Sequence, residues 1–192
     1  MKTKILLGLL IISFIACKND KKKAETEEIV TEEPAAAVAM PEVKKVTVEM
    51  GSKSGSEANG TVVFKQEGNT VTMTALISNL TEGQHAIHIH EKADCSADDG
   101  TSTGGHWNPT AQPHGKWGDP NGYHKGDIGN LTADANGNAT LTFSTDEWCI
   151  GCGDPKKDIL GKGLIVHEGA DDFVTQPTGN AGGRISCGGI IE

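Results

Sequence analysis

From Val43 onward, apolar and polar residues alternate with a period of two, which puts successive side chains on opposite faces of an extended chain. The alternation predicts strands at Val43–Met50, Thr61–Lys65, Val71–Ser78 and Gln84–Glu91, separated by Gly51-Ser52, Gly55, Gly60 and Gly68-Asn69. It lapses over Lys92–Gly126 and resumes at Ile128–Ala133 and Ala139–Ser144. The turn sequence Asp134-Ala135-Asn136-Gly137-Asn138 joins these last two as a hairpin. Gly163–His167 and Arg184–Ile190 complete eight strands. No internal repeat and no amphipathic helix is legible. The pattern predicts an all-β fold: an eight-stranded antiparallel Greek-key sandwich or flattened barrel with long loops. A structureless loop as long as 92–126 is unusual in a compact domain, so something other than a hydrophobic core has to order it; a metal or a disulfide would.

Ahead of the strands lies a different kind of sequence. Lys2 and Lys4 precede an apolar run, Ile5–Ile15, too short to span a bilayer and ending in Ala16-Cys17. Phe14-Ile15-Ala16-Cys17 resembles a bacterial lipobox, with Phe14 where Leu is usual; the other reading is an ordinary secretory signal cleaved nearby. The expectation is a signal peptide over 1–16, then a lipidated, disordered tether over 17–42 attached to a membrane through Cys17, then one domain over 43–192. Residues 18–41 are Lys-rich, then Glu-rich, then Ala/Pro, too poor in apolar side chains to fold alone. The protein is therefore expected to be an exported cell-envelope lipoprotein, periplasmic or outer-membrane-anchored. Lys18 in place of an inner-membrane-retaining Asp favours the outer membrane.

Composition narrows the function. The formal net charge is −9 and no basic stripe offsets it, which excludes nucleic acid as a partner. An anionic substrate would meet a like-charged protein, so an enzyme acting on one needs a local positive funnel.

All seven histidines fall between His85 and His167. Strand parity puts His88 and His90 on one face and sends His85 to the other with Ile87 and Ile89. His106, His114 and His124 occupy the long loop with Asp127 at its end, and His167 closes a strand. Any one of these is readily a satisfied polar histidine, but the set is not. Imidazole suits zinc and copper, and more nitrogen than four ligands implies more than one ion.

His88-Ile89-His90, Gly105-His106-Trp107-Asn108-Pro109, His124-Lys125-Gly126-Asp127, Val166-His167-Glu168-Gly169-Ala170-Asp171 and Gly179-Asn180-Ala181-Gly182-Gly183-Arg184-Ile185-Ser186-Cys187-Gly188 together resemble the copper/zinc superoxide dismutase family, in the family's order, over essentially Val43–Ile191. The resemblance implies dismutation of superoxide to oxygen and hydrogen peroxide by a redox-cycling copper bridged through His106 to a structural zinc. It implies copper on His88, His90, His106 and His167, and zinc on His106, His114, His124 and Asp127. Asp171 would orient His88 and His114, Arg184 would draw in superoxide, His106 would serve as acid and base, and His85 would brace backbone. A closed three-His, one-Asp set suits structural zinc, and four imidazoles suit Cu(II). The rival reading is a non-catalytic copper-binding or copper-delivery lipoprotein on the same fold; a weaker one is a surface lipoprotein whose metals only hold its loops. A homodimer is compatible with the family, whose dimer surfaces differ among members.

The resemblance pairs Cys95 with Cys187. It supplies no role for Cys149-Ile150-Gly151-Cys152, within an apparent insertion from Trp148 to Asp158. Outside the cytosol such a pair is a local disulfide, a redox pair or a soft-metal site, the first being the leading reading. The stretch 173–182 holds no Lys or Glu, so the family's charged guides are missing; Lys92, Lys116, Lys125 and Lys162 are the candidates to replace them.

Overall fold

The computed structural model describes residues 42–192; the expected signal peptide, Cys17 and the tether up to Pro41 lie outside the described residues. Eight strands follow in order: β1 (Val43–Ser52), β2 (Asn59–Glu67), β3 (Thr70–Ser78), β4 (Gly83–His90), β5 (Asp127–Ala133), β6 (Ala139–Thr145), β7 (Lys162–His167) and β8 (Arg184–Ile190). They close into an antiparallel barrel in the order β1-β2-β3-β6-β5-β4-β7-β8. The chain thus leaves β3, crosses to build β4 and β5, and returns through β6 to lie beside β3.

Closure is uneven. β2 and β3 are bonded in register from Asn59↔Ser78 to Glu67↔Thr70, yet β5 and β6 share the single pair Ala133↔Ala139. At the other seam β1 meets β8 only at Gly51↔Cys187 and Ser52↔Ser186. Two well-bonded halves joined by two thin seams make a flattened barrel, the arrangement of a sandwich. The predicted hairpin turn is present, its Asp134 carboxylate accepting the N–H groups of Asn136 and Asn138 at 2.8 and 2.9 Å.

Alternation decides what fills the space between the halves. Val62, Phe64, Val71, Met73, Ala75 and Ile77 face Ile87, Ile89, Leu131, Leu164 and Val166, all in one buried cluster. Gly60, expected to end a strand, instead lies inside β2, because a Cβ there would collide with the Leu76 carbonyl and only glycine lets the strands approach.

The long loop is not ordered by metal and disulfide alone. Trp107 is buried in the core cluster, and its N–H donates to the Ile89 carbonyl at 2.8 Å while its carbonyl accepts from Gly126 at 3.0 Å. A short 3-10 turn spans Thr101–Thr103. The Cys95–Cys187 disulfide ties the loop to β8 across 92 residues of sequence. The Trp148–Asp158 insertion is also part of the core, with Trp148 packed edge-on to Phe64 at 6.2 Å between ring centroids.

Phe64 is fully buried and belongs to neither histidine cluster, so Phe64→Ala should cost about 3–5 kcal/mol by urea unfolding at equal metal content. A loss under about 1 kcal/mol would mean that the two halves are not held by this packing.

Candidate metal centre

Two strands and the long loop bring the histidines together outside the barrel core. On β4, Ile87 and Ile89 point into the core cluster, while His88 and His90 are buried beneath the loop on the opposite face. The pairing register of β4 on β5 shifts between Ile87 and His88, and that of β7 on β8 shifts between Val166 and His167. Such irregularities re-aim a side chain at the end of a ladder. His106 reaches the group through an isolated bridge to His90.

His88, His90, His106 and His167 form one cluster whose ligand atoms all lie within 4.8 Å of one another. Each ring has one nitrogen held from outside. His88 Nε2 donates to Asp171 Oδ2 at 2.8 Å, His90 Nδ1 to the Gly104 carbonyl at 2.9 Å, and His167 Nδ1 to the Gly182 carbonyl at 3.3 Å. His106 Nδ1 faces Asp127 Oδ1 at 2.9 Å. The remaining nitrogens, His88 Nδ1 and Nε2 of His90, His106 and His167, are buried without a hydrogen-bond partner.

A second cluster, His106, His114, His124 and Asp127, shares His106 with the first. His114 Nδ1 lies 3.0 Å from Asp127 Oδ2 and His124 Nδ1 lies 3.2 Å from Oδ1, yet neither nitrogen has a hydrogen-bond partner. The rings sit beside the carboxylate in an arrangement that one ion would complete. Unpaired buried nitrogen is costly. Four nitrogens converging on one point, and three with a carboxylate oxygen on the other, fit two ions well.

Asp171 joins the clusters. Its other oxygen accepts from His114 Nε2 at 2.9 Å and from the Phe173 N–H at 2.7 Å. Orienting partners of this kind fix ring position and tautomer. Burial, reinforced by neighbouring imidazoles, holds His90 and His167 well below the usual histidine range. Burial likewise lowers His106 to about 4, against the pull of Asp127. These rings are therefore neutral near pH 7, the form that binds metal. Burial opposes charge on His114 too, but the Asp127 carboxylate beside it and its hydrogen bond to Asp171 outweigh this and raise the ring to about 9. Against burial, His106 on Asp127, and His114 and His88 on Asp171, hold both carboxyls well below the usual carboxylate range.

Arg184 stands across β7–β8 from His167. Its Nη1 donates to the Gly100 carbonyl at 2.9 Å and to Thr103 Oγ1 at 2.8 Å. His85 braces backbone as expected, with Nδ1 2.9 Å from the His167 carbonyl and Nε2 2.9 Å from that of Thr81. Of the candidate guides, Lys125 is paired with Glu147, and Lys162 sits over the Trp107 ring at 5.7 Å from its centroid. Lys116 lines a cleft with Trp117 and Phe173 beside Asp171, and Lys92 is exposed.

Several supports were not legible in the sequence. Gln176 clasps the His114 backbone from both sides, accepting from its N–H at 2.9 Å and donating to its carbonyl at 2.8 Å. Asn130 does the same for Asp171 at 2.7 and 2.9 Å. Gly179, at φ 67°, leaves no room for a Cβ beside Asp171 and His114. Thr103, fully buried, both carries Arg184 and donates to Gly100. No local sequence pattern singles these out, since each acts on a partner distant in sequence.

Known proteins match both the sequence and this fold. The chain is 35% identical over 144 residues to an extracellular Cu-Zn superoxide dismutase of Caenorhabditis elegans, covering 72% of this chain and 63% of that protein, so it spans less than two-thirds of that relative. A superoxide-dismutase-like protein from Bacillus subtilis has a crystal structure that matches with a TM-score of 0.67 at 31% identity, over 76% of this chain and 97% of the other. A double mutant of that protein matches with a TM-score of 0.66 at 33% identity and the same coverage. The family profile for copper/zinc superoxide dismutase matches residues 58–190, a span that contains both histidine clusters and Arg184. Copper and zinc are the metals that profile implies for two such donor sets, and the chain belongs to the copper/zinc superoxide dismutase family.

Proposed function

We propose that this protein dismutes superoxide, with copper held by His88, His90, His106 and His167 and zinc held by His106, His114, His124 and Asp127. The observation that carries this reading is the complete four-imidazole array, its free nitrogens converging beside an anchored guanidinium. Copper, when bound, supplies the one-electron chemistry by which two superoxide ions and two protons become oxygen and hydrogen peroxide.

The chain's own residues supply the rest. Arg184 is permanently charged and well provided with donors, suited to drawing in a small anion. Because Gly100 and Thr103 fix one end of its guanidinium, the remaining N–H groups are aimed rather than free to wander. His106 presents Nδ1 toward Asp127 and Nε2 toward the four-imidazole side, so Nε2 is the atom at which it can hold and deliver a proton. Asp171 keeps His88 and His114 in their tautomers. A copper carrier without catalysis has no use for Arg184 or for a shared imidazole, which disfavours the rival reading. Two disulfides among the described residues suit an oxidising compartment. With the N-terminal sequence and an extracellular relative, they support an exported protein anchored by lipid on Cys17.

Superoxide decay on fully loaded protein tests the reading; inactivity would remove it. Arg184→Ala should slow decay by about tenfold or more with copper and zinc contents unchanged. Catalysis should also fall with ionic strength in the native protein and respond less in the variant.

Zinc uptake at His114 Nδ1 must displace a proton held up to about pH 9. Apparent zinc affinity, measured by chelator competition, should therefore rise about tenfold per pH unit up to that value and then level off. Stability of the metal-free protein runs the other way. The raised His114 contributes fully below its ordinary 6.5, and that contribution is lost as pH rises through about 9.

Asp171→Asn puts an amide where two ring N–H groups donate. It should weaken zinc retention by about 10–100-fold in the same competition assay, and unchanged retention would deny Asp171 an orienting role.

A further inference from the structure

The C-x-x-C pair is the one motif that the metal centre does not absorb. Cys149 and Cys152 are disulfide-bonded, with Cys149 buried under the insertion and Cys152 exposed. Both border a cleft of about 330 Å³ whose other walls are Gln66, Asn69, Asp146, Trp148 and Lys157.

The bond is not what holds this loop. Cys149 N–H donates to the Lys157 carbonyl at 2.9 Å, and the Cys149 carbonyl accepts from Ile159 at 3.1 Å. The Asp158 carboxylate gathers the N–H groups of Gly151, Gly153 and Leu160 at 3.0, 2.8 and 3.1 Å. Ile150 N–H donates to Gln66 Oε1 at 2.7 Å and its side chain is fully buried. The neighbouring Trp148 Nε1 anchors to the Lys125 carbonyl at 2.8 Å, beside the metal loop. None of these contacts runs through the bridge, which closes only three residues of sequence, whereas Cys95–Cys187 closes 92. The same ties occupy Asp158, so it offers a metal little beyond what two thiols would.

We propose that Cys149–Cys152 is an exchangeable disulfide, reduced and re-formed on the folded domain by dithiols that enter the cleft at Cys152. A dithiol's thiolate attacks the exposed Cys152 Sγ, the Cys149–Cys152 bond breaks, and Cys149 leaves as a thiolate that takes a proton. The dithiol's second thiol then attacks its own sulfur in the mixed disulfide and frees Cys152. The protein gains two electrons and two protons, and the dithiol becomes a disulfide. The Asp154 N–H directed at Cys152 Sγ at 3.5 Å, with Lys157 in the cleft wall, favours Cys152 as the thiolate that leaves the mixed disulfide in this second step. Cys187 is 3% exposed and Cys95 is half-buried, whereas Cys152 is exposed, so the Cys95–Cys187 bridge is the less open of the two.

Graded dithiothreitol on the full, metal-loaded chain, followed by alkylation and residue-resolved peptide mapping, tests this. Cys149 and Cys152 should be alkylated at dithiothreitol concentrations at least about tenfold below those that open Cys95–Cys187, with zinc content and circular dichroism unchanged. Simultaneous opening of both bridges would overturn the proposal, as would loss of zinc or of the dichroism signal as Cys149–Cys152 opens. The point of attack has its own readout. Cys149→Ser, which leaves Cys152, should form a mixed disulfide with an aromatic disulfide reagent about tenfold faster than Cys152→Ser, which leaves Cys149; equal rates would place the attack elsewhere.

Discussion

Six imidazole rings are buried together over one face of this barrel, some with centroids only 4.0 Å apart. Nothing in a hydrophobic interior tolerates that density of polar nitrogen unless every atom has a partner. Five outer nitrogens are answered by two carboxylates and two backbone carbonyls, and the inner ones converge on points that two cations would fill. Asp127 and Asp171 supply the negative charge. Each carboxylate also accepts backbone N–H groups, from Gly115 and His124 in one case and Phe173 in the other. Loop conformation and ring orientation are thereby solved by the same few atoms.

This requirement explains why so much chain lies outside the strands. The barrel alone needs only its two half-sheets and the apolar cluster between them. The long loop exists to deliver His106, His114 and His124 to a site that β4 and β7 begin. It is held at three kinds of anchor: Trp107 in the core, Cys95 on Cys187, and backbone bonds from Lys92 and Glu91 to Thr103 and Gly105. Those backbone bonds also position the turn that carries Gly100 and Thr103, so the support of the metal ligands and the support of Arg184 are one structure.

Strand period made the barrel legible and histidine parity separated His85 from His88 and His90, while the division into two donor sets came from the family resemblance. These signals are local, since alternation needs only near neighbours. Trp107 was harder, because a tryptophan among Gly, Asn and Pro gives no period from which burial can be read. Gly60 misled for a related reason: the same residue ends a strand or lets two strands close up, and only the neighbour decides. Gln176, Asn130 and Thr103 lie 62, 41 and 81 residues from the groups they hold. Their side chains are ordinary in loops, and their role is set entirely by three-dimensional placement.

Electrostatics bring the acidic composition and the site together. With a net charge of −9, the average field repels an anion. That average matters little at the mouth, since charges more than about 8 Å apart in physiological salt are largely screened. What counts is the nearest unpaired cation. Lys125 is spent on Glu147 and Lys162 is drawn over Trp107 toward the Glu91 carbonyl. Arg184 is neither spent nor free: its donors on one edge are committed to oxygen atoms without formal charge, so its full positive charge persists. Anchoring a cation on a carbonyl and a hydroxyl, in place of a carboxylate, is what would let one arginine serve as the funnel in the proposed reaction.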